Sequence, residues 1–246
     1  VMAGLPFRLP MPEIIRIELE GDIQRPWVTA MDVILTLIGK FGVKGGVGKI
    51  LEYGGPGVKN LNVTERATIT NMGTELGATT SIFPSDEVTY HYLKAQGREK
   101  DWIKLEADKD AEYAEVIELN LSDVEPLIAK PYSPGNIAKI SELEGIRVDQ
   151  VCIGSCTNSS YQVMSNVAEI LRGKTVAPWC SLTINPGSKQ VFEMIARSGA
   201  LADMIAAGAR ILECACGPCI GMGQAHRTNG VSVRSFNRNF KGRSGT

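Results

Sequence analysis

The chain has 246 residues, enough for one large domain or two of ordinary size. An apolar content of 43% with 22% charged residues calls for a buried core, and a net charge of −1 gives no global reason to expect nucleic acid or a membrane surface as partner. Six cysteines in a chain this long are too few for a disulfide scaffold, so thiols that are free or metal-bound are expected, in a reducing compartment such as the cytoplasm or the mitochondrial matrix.

The most apolar run, Val33 to Ile38, is far too short to span a bilayer. The start shows no basic segment followed by an apolar one, so no signal peptide is read there. The ends look cut: the chain opens at Val1-Met2-Ala3-Gly4 and stops at Thr246, straight after a dense, functional-looking segment.

Pro6, Pro10 and Pro12 make the first dozen residues an extended arm, and the alternation from Ile14 to Leu19 predicts a strand. Thr29 can cap a helix from about Met31 to Phe41, with Val33, Ile34, Leu37, Ile38 and Phe41 on helical spacing. The run Lys44-Gly45-Gly46-Val47-Gly48-Lys49-Ile50 imitates a phosphate-binding loop. Such a loop leaves a strand and needs a Ser or Thr after its lysine, whereas here a helix precedes it and Ile50 holds that place. It reads as a Gly-rich connection into a strand over Lys49–Tyr53.

Thr64 can cap a second helix, with Glu65 in its first turn. Within that helix Asn71 and Glu75, four apart, fall on one face amid Gly and Ala. Spacing alone makes this a solvated face before it makes it a site. Ser85 or Asp86 caps a third helix to Ala95, ended by Gly97, and the charged run Lys100–Glu112 faces solvent. After a strand over Val116–Leu121, the Pro- and Gly-containing stretch Glu125–Ser141 is the best candidate for a domain boundary or linker. No internal repeat stands out.

The second half has α/β rhythm: a strand over Val148–Gly154, a helix from about Ser160 to Leu171, and a strand over Ser181–Ile184. Helices ending at Gly199 and over Leu201–Ala207 follow, then strands over Ala209–Glu213 and Val231–Phe236. Strand–loop–helix order argues for a parallel sheet, whose sites gather beyond the carboxyl ends of its strands.

Two of those strands lead directly into cysteine loops: Gly154-Ser155-Cys156-Thr157-Asn158-Ser159 and Cys214-Ala215-Cys216-Gly217-Pro218-Cys219-Ile220-Gly221. A C-x-x-C pair plus a thiol from elsewhere is a ligand pattern of iron–sulfur clusters. The expectation is that Cys156, Cys216 and Cys219 hold a 4Fe-4S cluster by three irons, leaving the fourth open as a Lewis acid. Two rivals share the residues. Cys-Gly-Pro-Cys is also a thioredoxin-like redox motif, although that leaves Cys156 idle. Structural zinc would take a fourth ligand from Cys214, Cys152 or His226. Cys152 and Cys180 lie in apolar strand contexts and read as buried packing residues.

No Asp or Glu follows Glu213, while Arg227, Arg234, Arg238, Lys241 and Arg243 do, which predicts a local cationic surface. Arginine suits carboxylates because its fork donates two parallel hydrogen bonds, and Arg238 and Arg243 are the preferred anchors. Five charges beside one aromatic run are thin support for a nucleic-acid patch.

Four stretches resemble the aconitase family of iron–sulfur hydro-lyases, to which the 3-isopropylmalate dehydratase large subunit is related. They are Asn71 to Thr80, Gly154 to Ser159, Cys216 to Gly221 and Ser235 to Arg243, in family order and covering nearly the whole chain. The resemblance implies cluster ligands at Cys156, Cys216 and Cys219, and carboxylate-binding arginines at Arg238 and Arg243. It implies Asn237 near the cluster, and Asn71 and Glu75 beside the cluster and the substrate hydroxyl, against the spacing-only reading of those two. The family reaction is a dehydration and rehydration that moves a hydroxyl on a tricarboxylic acid, in aconitase citrate to isocitrate through cis-aconitate in the tricarboxylic acid cycle. Relatives take isopropylmalate, homoaconitate or methylcitrate, and Gly217-Pro218 with Ile220-Gly221 look more like aconitase.

The fold so implied is α/β, with three-layer α/β/α aconitase-type domains on mainly parallel sheets. Residues 1–13 would end domain 1, 14–128 would form domain 2, and 129–246 an incomplete domain 3 carrying the cysteines. The chain then looks like an internal piece, without the swivelling domain that supplies the base, able to hold a cluster but not to turn over. Some relatives bind RNA as cluster-free iron sensors; near-neutral charge lends that reading no support.

Overall fold

The computed structural model describes residues 4–6 and 8–245. Val1-Met2-Ala3 of the opening arm and the final Thr246 lie outside the described residues. The chain divides into two compact units, Val1–Val124 and Glu125–Thr246, each built on a parallel four-stranded sheet.

In the first unit the strands are β1 (Glu13–Glu20), β2 (Lys49–Gly54), β3 (Thr80–Ile82) and β4 (Glu115–Asn120), in the order β3-β2-β1-β4. Alternation sets the core: Ile15, Ile17 and Leu19 of β1 are buried with Leu51 and Tyr53 of β2, while Arg16 and Glu18 pair with each other on the opposite face. Helix α1 (Ala30–Phe41) is entered through a capping box between Thr29 and Asp32, and buries Val33, Ile34, Leu37 and Ile38. The Gly-rich run behaves as a connection. Gly46 donates its N–H to the Leu76 carbonyl at 2.9 Å, and β2 begins at Lys49.

Helix α2 (Val63–Gly73) corrects two expectations. Its cap is Asn62, whose side chain accepts from the Glu65 N–H at 3.0 Å while Glu65 bonds back at 2.7 Å; Thr64 sits inside the helix with its hydroxyl on Asn62 Oδ1. The helix also stops before Glu75. From Glu75 to Gly77 the backbone winds with i→i−3 bonds, and Gly77 takes φ +86°, so Asn71 and Glu75 share no helical face. Glu75 is 7% exposed, which rules out a solvated face for it. Helix α3 (Glu87–Ala95) is capped by Asp86 and buries no residue, and Lys100–Glu112 is exposed apart from half-buried Trp102.

In the second unit the stretch read as a linker begins with an antiparallel hairpin, β5 (Leu127–Ala129) and β6 (Ile137–Lys139). The sheet consists of β7 (Gln150–Gly154), β8 (Ser181–Asn185), β9 (Arg210–Ile211) and β10 (Ser232–Arg234), in the order β10-β7-β8-β9. Helices α4 (Tyr161–Leu171), α5 (Lys189–Ser198) and α6 (Ala200–Ala206) contribute Met164, Ala168, Ile195, Ala200 and Met204 to one core, on which Val151 and Ile153 pack. Cys152, between those two, points the other way, into a cluster with Cys219 and Phe236. Cys180 is not a buried strand residue: it lies before β8 and is half-buried.

Both sheets follow one plan. Three strands are laid side by side in chain order, and the fourth returns to the free side of the first. The strand order therefore reverses between β1 and β4, and again between β7 and β10.

Candidate cluster and substrate site

Because the second sheet is parallel, β7, β8, β9 and β10 all end on one edge, and the strand order reverses between β7 and β10. Crevices at such points are where open α/β sheets bind ligands. Cys156 follows β7, the segment holding Cys216 and Cys219 follows β9, and Asn237, Arg238 and Arg243 follow β10.

The β7 loop is tightly specified. Gly154 takes φ +124°, and a side chain there would strike the Asn185 carbonyl of β8, so glycine is required. Ser155 follows with φ +70°. Ser159 donates its hydroxyl to the Ser155 carbonyl, the Gly154 N–H donates to Ser235 Oγ at 2.9 Å, and Asn158 Nδ2 donates to the Ser235 carbonyl at 3.0 Å. The loops after β7 and β10 are thus stitched together. The exposed Cys156 sulfur lies 3.8 Å from the hydroxyls of Ser155 and Thr157.

Gly217-Pro218 winds the C-x-x-C into a 3₁₀ turn (Gly217–Ile220), closed by Gly221 at φ +79°, where an added Cβ would meet Ser244 Cα at 2.9 Å. Cys216 is exposed and Cys219 is 4% exposed. Burial, then the neighbouring thiols of Cys156 and Cys219, push the Cys216 thiol up, while the Ser155 hydroxyl pulls the other way. Arg243 Nη2 donates to Cys219 Sγ at 3.3 Å, and Arg243 Nε is buried without a partner. Asn239 pins the same loop to the hairpin, donating to the carbonyls of Ala129 at 3.1 Å and Lys130 at 2.8 Å.

Among the described residues no three His, Cys, Asp or Glu side chains are grouped to hold a metal ion. Of the three fourth ligands named for structural zinc, Cys152 packs with Cys219, while His226 Nδ1 lies 2.9 Å from the Arg227 carbonyl. The donor chemistry still fits a cluster, since the group on this edge is all thiol, and the thiolates of a cluster each take a different iron instead of meeting at one atom.

Asn71 and Glu75 belong to the first unit. Asn71 lines an open, polar pocket of about 380 Å³ with Thr70, Thr74, Thr79 and Thr80. One expectation about charge fails. Arg234 is not part of a cationic surface; its guanidinium is turned inward onto the carbonyls of Pro218 and Gln224. No sequence signal separates an inward arginine on a three-residue strand from an outward one.

The description "Aconitase family (aconitate hydratase)" matches residues 1–145 and 137–246. The chain is 42% identical to the 3-isopropylmalate dehydratase large subunit 2 of Archaeoglobus fulgidus, over 96% of the chain and 56% of that protein. It is 41% identical to a mitochondrial aconitate hydratase of Emericella nidulans, over 99% of the chain and 34% of that protein. A 3-isopropylmalate dehydratase large subunit 1 of Pyrococcus furiosus is 42% identical over 96% of the chain and 56% of its own length. The chain therefore spans about a third to a half of the relatives it matches. With the family description matched along its length and identity above 40% to both kinds of hydratase, the chain belongs to the aconitase family.

Proposed function

We propose that this chain is the cluster-bearing part of an iron–sulfur hydro-lyase that interconverts citrate and isocitrate through cis-aconitate. The observation that supports it most is that Cys156, the Cys216–Cys219 turn and the arginine-bearing loop all follow strands of one parallel sheet, with Arg243 donating to Cys219 Sγ, in a member of this family. Cys156, Cys216 and Cys219 would hold a 4Fe-4S cluster, which supplies a Lewis acid for a departing hydroxyl. In this reading residues 14–128 and 129–246 are the second and third aconitase-type domains, working in the cytoplasm or the mitochondrial matrix.

The chain's own residues bind and orient. Arg238 and Arg243 take substrate carboxylates through paired N–H donors. Arg243 already donates to Cys219 Sγ, so the carboxylate it binds is fixed relative to a ligand sulfur. Asn237 adds an amide from the same loop, and Asn71 and Glu75 of the first unit orient the hydroxyl. Dehydration removes a weakly acidic proton from the carbon beside a carboxylate, and the two guanidinium groups stabilise the charge that builds there. No base for that proton is assigned among these residues.

The second reading, a 3-isopropylmalate substrate, is supported by 42% identity to dehydratase large subunits. Anaerobic reconstitution with iron and sulfide, followed by EPR with citrate or with 3-isopropylmalate, separates the two. Citrate is expected to change the spectrum. A response to 3-isopropylmalate alone moves the substrate to the second reading, and a spectrum indifferent to both overturns the open-iron site. No isocitrate is expected from the 246-residue chain alone; its formation would put the base inside the chain.

A further inference from the structure

Arg234 closes β10 and lies outside every role given above. Its Nε donates to Ser232 Oγ at 2.8 Å, Nη1 to the Pro218 carbonyl at 2.8 Å, and Nη2 to Gln150 Oε1 at 2.7 Å and the Gln224 carbonyl at 2.8 Å. Two of these acceptors are main-chain carbonyls of the cysteine segment, one of them inside the C-x-x-C. The other two are joined to the same network, since Ser232 donates to Gln150 Oε1 at 2.8 Å and Gln150 Nε2 donates to the Gln224 carbonyl at 3.3 Å.

No carboxylate takes part: among the described residues Arg234 makes no ion pair. Burial pulls its pKa below the usual arginine value, and the sulfurs of Cys152 and Cys219 act in the opposite sense. Arg234 is half-buried, and a cation withdrawn from water without an anion is unfavourable, which a counter-charge resolves. Its guanidinium carbon stands 5.8 Å from the centre of the Phe236 ring, which packs with Cys152 and with the candidate cluster ligand Cys219.

We propose that Arg234 is a positioning residue for the Cys216–Cys219 turn and supplies the counter-charge for an anionic iron–sulfur centre held there. The charge half rests on the cluster reading above; the positioning half does not. The two tasks need different things. Bridging Pro218, Gln224 and Gln150 at once needs the planar fork, which lysine lacks, whereas the charge needs only a cation.

The test uses R234K and R234Q in the 246-residue chain. Without metal, amide exchange over residues 214–222 and alkylation of Cys219 by iodoacetamide are expected to quicken about tenfold in both variants, as local opening becomes easier. Unchanged rates in both overturn the positioning role. After reconstitution with iron and sulfide, the reduction midpoint is expected to stay near the parent's in R234K and to move to more negative potential in R234Q. An unmoved midpoint in R234Q overturns the counter-charge. If R234Q does not fold, R234K decides that half alone. A buried lysine sheds its proton at alkaline pH where arginine does not, so its midpoint should fall faster with pH than the parent's, and a parallel course overturns the role. If even the parent takes up no cluster, the cluster reading fails and the charge half with it, while exchange and alkylation still decide the positioning half.

Discussion

Arg66 shows what a buried arginine does when a carboxylate is supplied. It is 4% exposed, donates to the carbonyls of Leu61, Val58 and Pro84 at 3.0, 3.0 and 3.2 Å, and grips both oxygens of Asp86 at 2.8 Å. Burial pushes the Asp86 carboxyl up, but Arg66 outweighs it and holds the group below the usual carboxylate range. A depressed folded pKa gives stability that is present above the unfolded value and is lost as pH falls through the folded one, here below about pH 4. Arg66→Met leaves Asp86 unpaired and three carbonyls without this donor, and is expected to cost about 3 kcal/mol at neutral pH. Its stability should also fall less steeply than the parent's in acid below about pH 4. Urea unfolding across that range checks both, and a loss under about 1 kcal/mol would show that water replaces the guanidinium.

At the scale of elements, the caps discriminate between what the sequence predicts and what forms. Asn62 holds the capping box of α2, so Asn62→Ala should cost about 1 kcal/mol and Thr64→Ala a few tenths, the reverse of what a Thr64 cap requires. Thermal or urea midpoints of the two variants decide it. Apolar spacing makes α1 and α4 legible within a residue or two and gives the end of α5, with Thr29, Ser160 and Gly199 standing where expected. Helical spacing carried past Gly73 puts Glu75 on the helix, but i→i−3 turns take over there; Gly73 and Gly77, the latter at φ +86°, are the stop signals that spacing overrides. The hairpin Leu127–Lys139 was hidden by its prolines, which read as linker until the antiparallel pairing is seen. The shared strand plan of the two sheets was invisible for a related reason. The segment between β3 and β4 is charged and exposed, the one between β9 and β10 is a cysteine loop, and similarity of order leaves no mark on composition. The cysteine edge, by contrast, was legible, because an apolar strand running into a thiol loop says both where the thiol is and which way its strand points.

At the scale of the whole molecule, the division of labour can be tested by cutting. All six cysteines lie in residues 125–246 and none in 1–124, while Asn71 and Glu75 lie in 1–124. Each unit has its own parallel sheet, and the second has its own helix-covered core and the entire cysteine-bearing edge. Residues 125–246 alone are therefore expected to fold and, given iron and sulfide without oxygen, to take up the same iron per chain as all 246 residues. Residues 1–124 should take up none. The cut should separate binding from recognition: the shorter chain keeps its cluster spectrum but loses the change on adding substrate, because the two side chains assigned to the hydroxyl are gone. Iron analysis with EPR, and far-UV circular dichroism to establish folding, read this out. A folded 125–246 that leaves iron in solution would mean that the thiol edge depends on the first unit. A substrate response that survives the cut would remove Asn71 and Glu75 from the site and leave recognition to the arginine loop.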